Sequence, residues 1–232
     1  MSQEERADTR DMCMVHTMFR REFAALPTLV RGVAPQDAER TYLIAEHIDL
    51  LTAVLEAHHR AEDTHLWPKL RDRGGEDLAS IVRAMEGQHE HIEVLTAEMA
   101  AALGEWRKWR DDPAASRRGN LADVLGRLHG VLDAHMGMEE ELILPLAEKY
   151  VTAAEWQAMA RASGAGLPPG TMPLVFGMTS YEADPELIEN TLSALPVEIR
   201  RLLEQQGPQE FAAHSTRING TPTPPRIGAV ER

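Results

Sequence analysis

HHRAEDTHLWP (58–68) and HMGMEEELILP (135–145) decide how this chain is read. Each places a glutamate four residues after a histidine, an acidic residue next, and a proline at the same offset. The matched positions are His58, Glu62 and Pro68 in one stretch and His135, Glu139 and Pro145 in the other. Another histidine lies upstream of each, His16 at 42 residues and His89 at 46. The chain therefore offers two helix pairs, each with one histidine followed by an H-x3-E unit. A duplicated spacing of this kind is much harder to obtain by chance than a single match.

Residues four apart on a helix share a face, with Cβ atoms about 5–6 Å apart. A histidine and a glutamate so placed can reach the same metal ion or ion pair. His58 continues the line from Leu51, and His135 the line Leu128–Leu132; His16 falls between Met12 and Phe19, and His89 between Met85 and Ile92. All four histidines thus lie on apolar stripes, where they would converge with Glu62 and Glu139. Burying these groups alone costs several kcal/mol per charge, and a dinuclear cation removes that cost. Mixed imidazole and carboxylate ligation suits iron, manganese or zinc, and bundles hold such ion pairs between their helices. A lone histidine on an apolar face is more often a core residue, and a lone H-x3-E a local side-chain pair. The duplication reverses both readings.

Outward from these stretches, apolar periodicity predicts helices over Asp8–Leu26, Gln36–Leu70, Glu76–Arg110 and Arg118–Tyr150. Pro27 and residues 32–35 interrupt the first, Arg71–Gly75 closes the second, and Asp112-Pro113 begins the connection after the third. The expected fold is all-α: an antiparallel up-down-up-down four-helix bundle over residues 8–150. A helical appendage follows over 151–218, with a short helix at Thr152–Ser163 and a pair over Asp184–Gln206 broken at Pro196. Residues 219–232, with their prolines, read as an extended or flexible tail.

Composition narrows the function. With 24 basic and 37 acidic residues in 232, the net charge of −13 argues against nucleic acid and anionic membranes as partners. One cysteine, Cys13, excludes an internal disulfide and a thiolate-rich cluster, and reads as a buried filler. The polar start and the lack of a long apolar run lead to the expectation of a soluble, cytoplasmic protein.

With His16 in VHTMFRREF, His58 and Glu62 in HHRAEDTHLWPKL, His89 in MEGQHEHIEVL, and His135 and Glu139 in HMGMEEELILPL, the chain resembles the hemerythrin-like, or HHE cation-binding, family over about residues 10–150. The resemblance implies two non-haem iron ions, ahead of manganese or zinc, with an oxo, hydroxo or carboxylate bridge. His16, His58, His89 and His135 would be terminal ligands, and Glu62 and Glu139 bridges. Members of the family bind dioxygen, sense iron or oxygen, respond to nitric oxide, repair iron–sulfur clusters or decompose peroxide. Oxygen carriers use H-x3-H on the third helix and H-x4-D on the fourth; here Glu93 follows His89, and the fourth helix carries H-x3-E. These departures point from oxygen carriage toward sensing or oxidative chemistry.

The further ligand stays open among His59, His65 and Glu93. His59 adjoins His58 at a position that is an acidic ligand in some iron-sensing relatives. His47 reads as a core or channel residue and His91 as solvated. Trp67 is expected to close the end of the bundle, and Trp106 and Trp109 to lie far from the metals. In Glu139-Glu140-Glu141 one residue points inward and its neighbours are solvated. The expected function is binding and reaction with O2, peroxide or NO, with a small-molecule substrate as a further partner and an oxidase or peroxide-decomposing activity as the enzyme reading. The alternatives are a non-catalytic iron-storage or iron/oxygen-responsive regulatory module, and a structural zinc-bridged bundle. Oligomeric state is left open.

Overall fold

A computed structural model describes residues 5–108 and 115–228. Trp109, the expected helix end at Arg110, the Asp112-Pro113 connection and residues 229–232 lie outside them. The described residues are helical, with one isolated bridge between Arg6 and Thr152 and no strand. Among them, no helix is long and apolar enough to cross a membrane.

Helix α1 spans Arg10–Arg31, α2 Ala38–His65, α3 Trp67–Arg107 and α4 Ala115–Met138. A π-helical turn, Glu139–Ile143, follows α4 and leads into α5, Leu144–Tyr150. Contrary to expectation, α1 runs through Pro27 to Arg31. A proline inside a helix costs about 3 kcal/mol, but Leu26 and Val30 on either side are wholly buried and hold the turn in place. Helix α2 begins where the Asp37 side chain accepts a hydrogen bond from the Arg40 backbone N–H, at 2.9 Å. It ends at His65 rather than Leu70, because Pro68 sits in the first turn of α3. The stop expected near Gly75 is a kink within α3, where Gly75 takes φ 72° and ψ −168°, a conformation that favours glycine.

Helices α1 and α3 each pack against both α2 and α4. Two apolar clusters fill the space between them. One gathers around Phe23, Leu51, Leu103 and Leu128, the other around Trp67, Val82, Met85 and Leu144. The layer holding His16, His58 and His89 falls between the clusters on α1, α2 and α3; on α4 His135 lies between Leu132 and Met136 of the first cluster, and the second begins at Ile143. Along the chain, α1 meets the Trp67 cluster first and α2 the Phe23 cluster first; the order alternates again in α3 and α4.

Beyond Tyr150, α6 (Ala153–Ala165) starts from a capping box in which Thr152 and Glu155 satisfy each other's backbone N–H groups. Helix α7 (Met172–Ser180), absent from the sequence reading, precedes α8 (Pro185–Ser193) and α9 (Val197–Asn219). Helix α9 outruns the expected end at Gln206, passes through Pro208 and stops at Gly220, φ 75°. Helix α6 packs on α2, α7 on α1 and α9, and α9 also on α2. The α7–α9 crossing is so close that a Cβ on Gly177 would lie 2.0 Å from the Gly207 carbonyl oxygen. Buried Arg21 of α1 donates to the Met178 carbonyl and to Glu182, each over 2.8–2.9 Å. After Gly220 the described chain bends over 221–223, has no regular structure over 224–228 and is held in place, with the Tyr181 hydroxyl donating to the Pro224 carbonyl and Glu182 accepting from the Ile227 and Gly228 N–H groups.

Candidate metal centre

The six residues singled out by the repeat come together in one buried layer. Together with His59 they form two overlapping groups whose potential ligand atoms lie within 4.8 Å of one another: His59, Glu62, His89 and His135; and His16, His58, Glu62 and Glu139. Glu62 belongs to both. His59 is thus the candidate further ligand brought to the cluster. His65 is half-buried at the end of α2 and belongs to neither group, and Glu93 is exposed.

The hydrogen bonds are divided between the two sides of each ring. His16 Nδ1 donates to Glu140 at 2.8 Å, His89 Nδ1 to Asp63 at 2.8 Å, and His135 Nδ1 to the Gln88 amide oxygen at 3.0 Å. This leaves Nε2 of each ring facing inward. The Nε2 atoms of His16, His58, His89 and His135 and both oxygens of Glu62 and Glu139 have no hydrogen-bond partner among the described residues. They are close without hydrogen-bond geometry: His58 to Glu62 at 2.9 Å, His16 to Glu139 at 3.3 Å, His89 to Glu62 at 3.4 Å and His135 to Glu139 at 3.9 Å. Neighbouring ligands about 2.1 Å from a shared ion stand roughly 3 Å apart. Buried polar atoms left unpaired cost about 1–3 kcal/mol each, so this arrangement fits a cation.

The electrostatics agree. Burial disfavours the charged His16 ring, but the Glu139 and Glu140 carboxylates outweigh it and push its pKa up to about 9. Burial acts likewise on His89, where Asp63 and Glu62 raise the pKa to about 10. His135 moves the other way, down to about 3, through burial and the neighbouring histidines, against the pull of Glu62. Burial and the Glu62 charge raise Glu139. Burial also opposes ionisation of Glu62, yet the surrounding rings hold it well below the usual carboxylate range. The buried carboxylates favour positive charge beside them, on the His16 and His89 rings. A metal ion would supply the same charge and displace ring protons.

Asp63, Glu140 and Gln88 were missed as functional residues. Asp63 also accepts from the Trp67 indole at 2.9 Å, and Glu140 is gripped by Arg20 at 2.7 and 3.0 Å. Glu140, expected to be solvated, has a side chain only 10% exposed. The signal was present in the repeat, because the acidic residue after each glutamate recurs as Asp63 and Glu140. A histidine on a metal commonly donates its other N–H to such a partner. Trp67, expected only to close the bundle, lies fully buried with its ring 5.7 Å from that of His89. Cys13 is buried and His91 exposed, as expected.

Two pockets that differ in their charged lining reach the cluster. A pocket of about 370 Å³ between α2 and α3 touches His59 and is lined by the charged Glu56, Arg60, Asp63 and Glu93. The other, about 170 Å³, lies between α1, α2 and α6, touches His58 and Glu62, and is mainly apolar.

Against the curated proteins and against the solved structures, no significant match is found. The family model for the hemerythrin HHE cation binding domain matches residues 9–147, more than half of the chain. The matched span contains every member of both His/Glu groups, and the chain belongs to the hemerythrin HHE cation-binding family.

Proposed function

We propose that the chain is a non-haem di-iron protein of hemerythrin-like type that binds and reacts with O2, peroxide or NO. The convergence of partnerless imidazole nitrogens and carboxylate oxygens in a buried layer carries this reading. In it, one iron would be held by His59, His89 and His135 and the other by His16 and His58, with Glu62 shared between them. Glu139, one oxygen of which stands 3.3 Å from His16 and 3.9 Å from His135, would join the second ion. The alternating order in which successive helices meet the two apolar clusters supports an antiparallel up-down-up-down bundle over residues 8–150. The helices of 151–218 pack on it as an appendage, and the cytoplasm is the compartment this reading assigns.

A bound iron pair would supply Lewis acidity and one-electron steps to a diatomic or peroxide ligand. The chain's own residues do the positioning. Asp63, Glu140 and Gln88 hold three ring N–H groups away from the ions, and the apolar clusters on either side restrict water. Pockets that reach the ligating residues favour a reactive or sensing centre over a sealed zinc bridge.

Metal analysis and an optical spectrum of protein expressed with iron test the reading, before and after exposure to O2, peroxide and NO. The expected result is two irons per chain, with near-ultraviolet bands that respond to oxidant. Zinc or no metal in protein supplied with iron and purified without chelator overturns it.

A further inference from the structure

The pocket between α1, α2 and α6 is built partly from outside the family domain. Met12 and Val15 come from α1, whereas Trp156, Met159 and Ala160 come from α6, beyond the matched residues 9–147. His58 and Glu62 form its inner wall. We propose that this pocket binds a small, uncharged, mainly apolar organic molecule of about benzene's size against His58 and Glu62. That such a molecule meets a metal pair rests on the function proposed above; the pocket's affinity for it does not.

Size, lining and charge support the assignment. An apolar cavity of about 150 Å³ is enough to hold benzene or xenon, and this pocket measures about 170 Å³. Methionine is a flexible, polarisable lining that adapts to apolar ligands. Apart from His58 and Glu62 of the His/Glu cluster, two of the polar side chains in the wall are engaged already. Asp11 accepts from the Trp156 indole at 2.9 Å, and the Thr191 hydroxyl donates to the Leu187 carbonyl at 2.9 Å. No lysine or arginine among the described residues lines the pocket, so an anion finds no counter-charge there. The pocket over His59 carries Glu56, Arg60, Asp63 and Glu93 in its lining, leaving the α6 side as the more apolar approach.

The test uses the full chain in metal-free and iron-loaded forms, with xenon and benzene as probes. Xenon-pressurised crystals locate the site, and titration calorimetry reads benzene affinity in solution. Ala160 is exposed, so Ala160→Phe narrows the mouth of the pocket without overfilling the core. The expected results are a xenon peak beside Met159 and benzene binding that weakens at least about tenfold in Ala160→Phe, with metal content unchanged. No xenon peak in the pocket, xenon without benzene, or equal benzene affinity in both proteins overturns the proposal. Metal content separates the two readings: binding in a chain that takes up no iron upholds the pocket and defeats only the di-iron function. Two irons without probe binding do the reverse.

Discussion

The stretches His58–Pro68 and His135–Pro145 share their spacing, yet their helices leave the metal layer differently. Each proline lacks an N–H and frees a carbonyl four residues back. In the first stretch the chain answers by ending α2 at His65; Leu66 takes φ −100° and ψ −59°, and α3 starts with Pro68 in its first turn. In the second the helix continues through a π turn, in which the Leu144 N–H bonds to the Glu139 carbonyl five residues back. Such turns insert a residue and recur at functional sites. The inserted residue shifts the inward register, and beyond it Ile143 is fully buried while Leu142 is 39% exposed. The H-x3-E unit before each proline is common to both, while the exit from the site is free to vary.

The two stretches also contribute unequally. The first supplies His58, His59 and a glutamate found in both groups; the second has Met136 beside His135, and its glutamate enters one group. The sharpest break of this comparison is therefore Glu62→Ala against Glu139→Ala. Glu62→Ala should lose both ions, and Glu139→Ala should keep one, as read by metal analysis of the purified proteins. Equal losses would make the two stretches equivalent and the unequal sharing wrong.

Next in size is the pair at the following position of each unit. His59→Ala should lose the ion shared with His89 and His135. Met136→Ala should keep both ions and lose about 2–5 kcal/mol of stability, the usual cost of truncating a buried methionine. Retention of full metal by His59→Ala would return the further ligand to the undecided set.

Much of this was legible because ligand pairs four apart stay on one helix face whatever the surrounding structure does. His59 was harder to place, since neighbours on a helix point about 100° apart. It joins the cluster because α2 carries ligands to both groups, His58 to one and His59 to the other. The paired roles of Asp63 and Glu140 depend on contacts with α3 and α1, which no spacing within α2 or α4 reveals. Pro27 reads as a helix end because local propensity cannot register the burial that overrides it. Helix α7 is short and carries Gly177, which weakens its periodic signal while permitting the close α9 contact.

A smaller effect should come from the acids that hold the rings. Asp63→Asn and Glu140→Gln should each weaken metal binding about 10–100-fold, measured by competition with a chelator, without removing a ligand. Matching losses would show that the two stretches keep this function in common even though their exits differ.

The smallest expected effect lies away from both stretches and serves as a control. His214 of α9 shares a 3.0 Å hydrogen bond with His47 of α2. Burial, then the nearby His47, lowers its pKa from an ordinary 6.5 to about 4. The unfolded chain therefore takes up this proton first as pH falls. The stability contributed by neutral His214 is present above about pH 6.5 and lost as pH drops toward 4. Thermal melts over that window should fall more steeply for the natural protein than for His214→Gln. Identical slopes would remove His214 from the acid sensitivity of the α2–α9 contact.

The placement of α6 also bears on how the protein is made. All residues of both His/Glu groups have been synthesised by Glu139, whereas the α6 wall beside them begins only at Ala153. Chains emerge N-terminus first, at about 5–20 residues per second. The His/Glu layer is therefore complete in the chain before the helix that covers its apolar side is made.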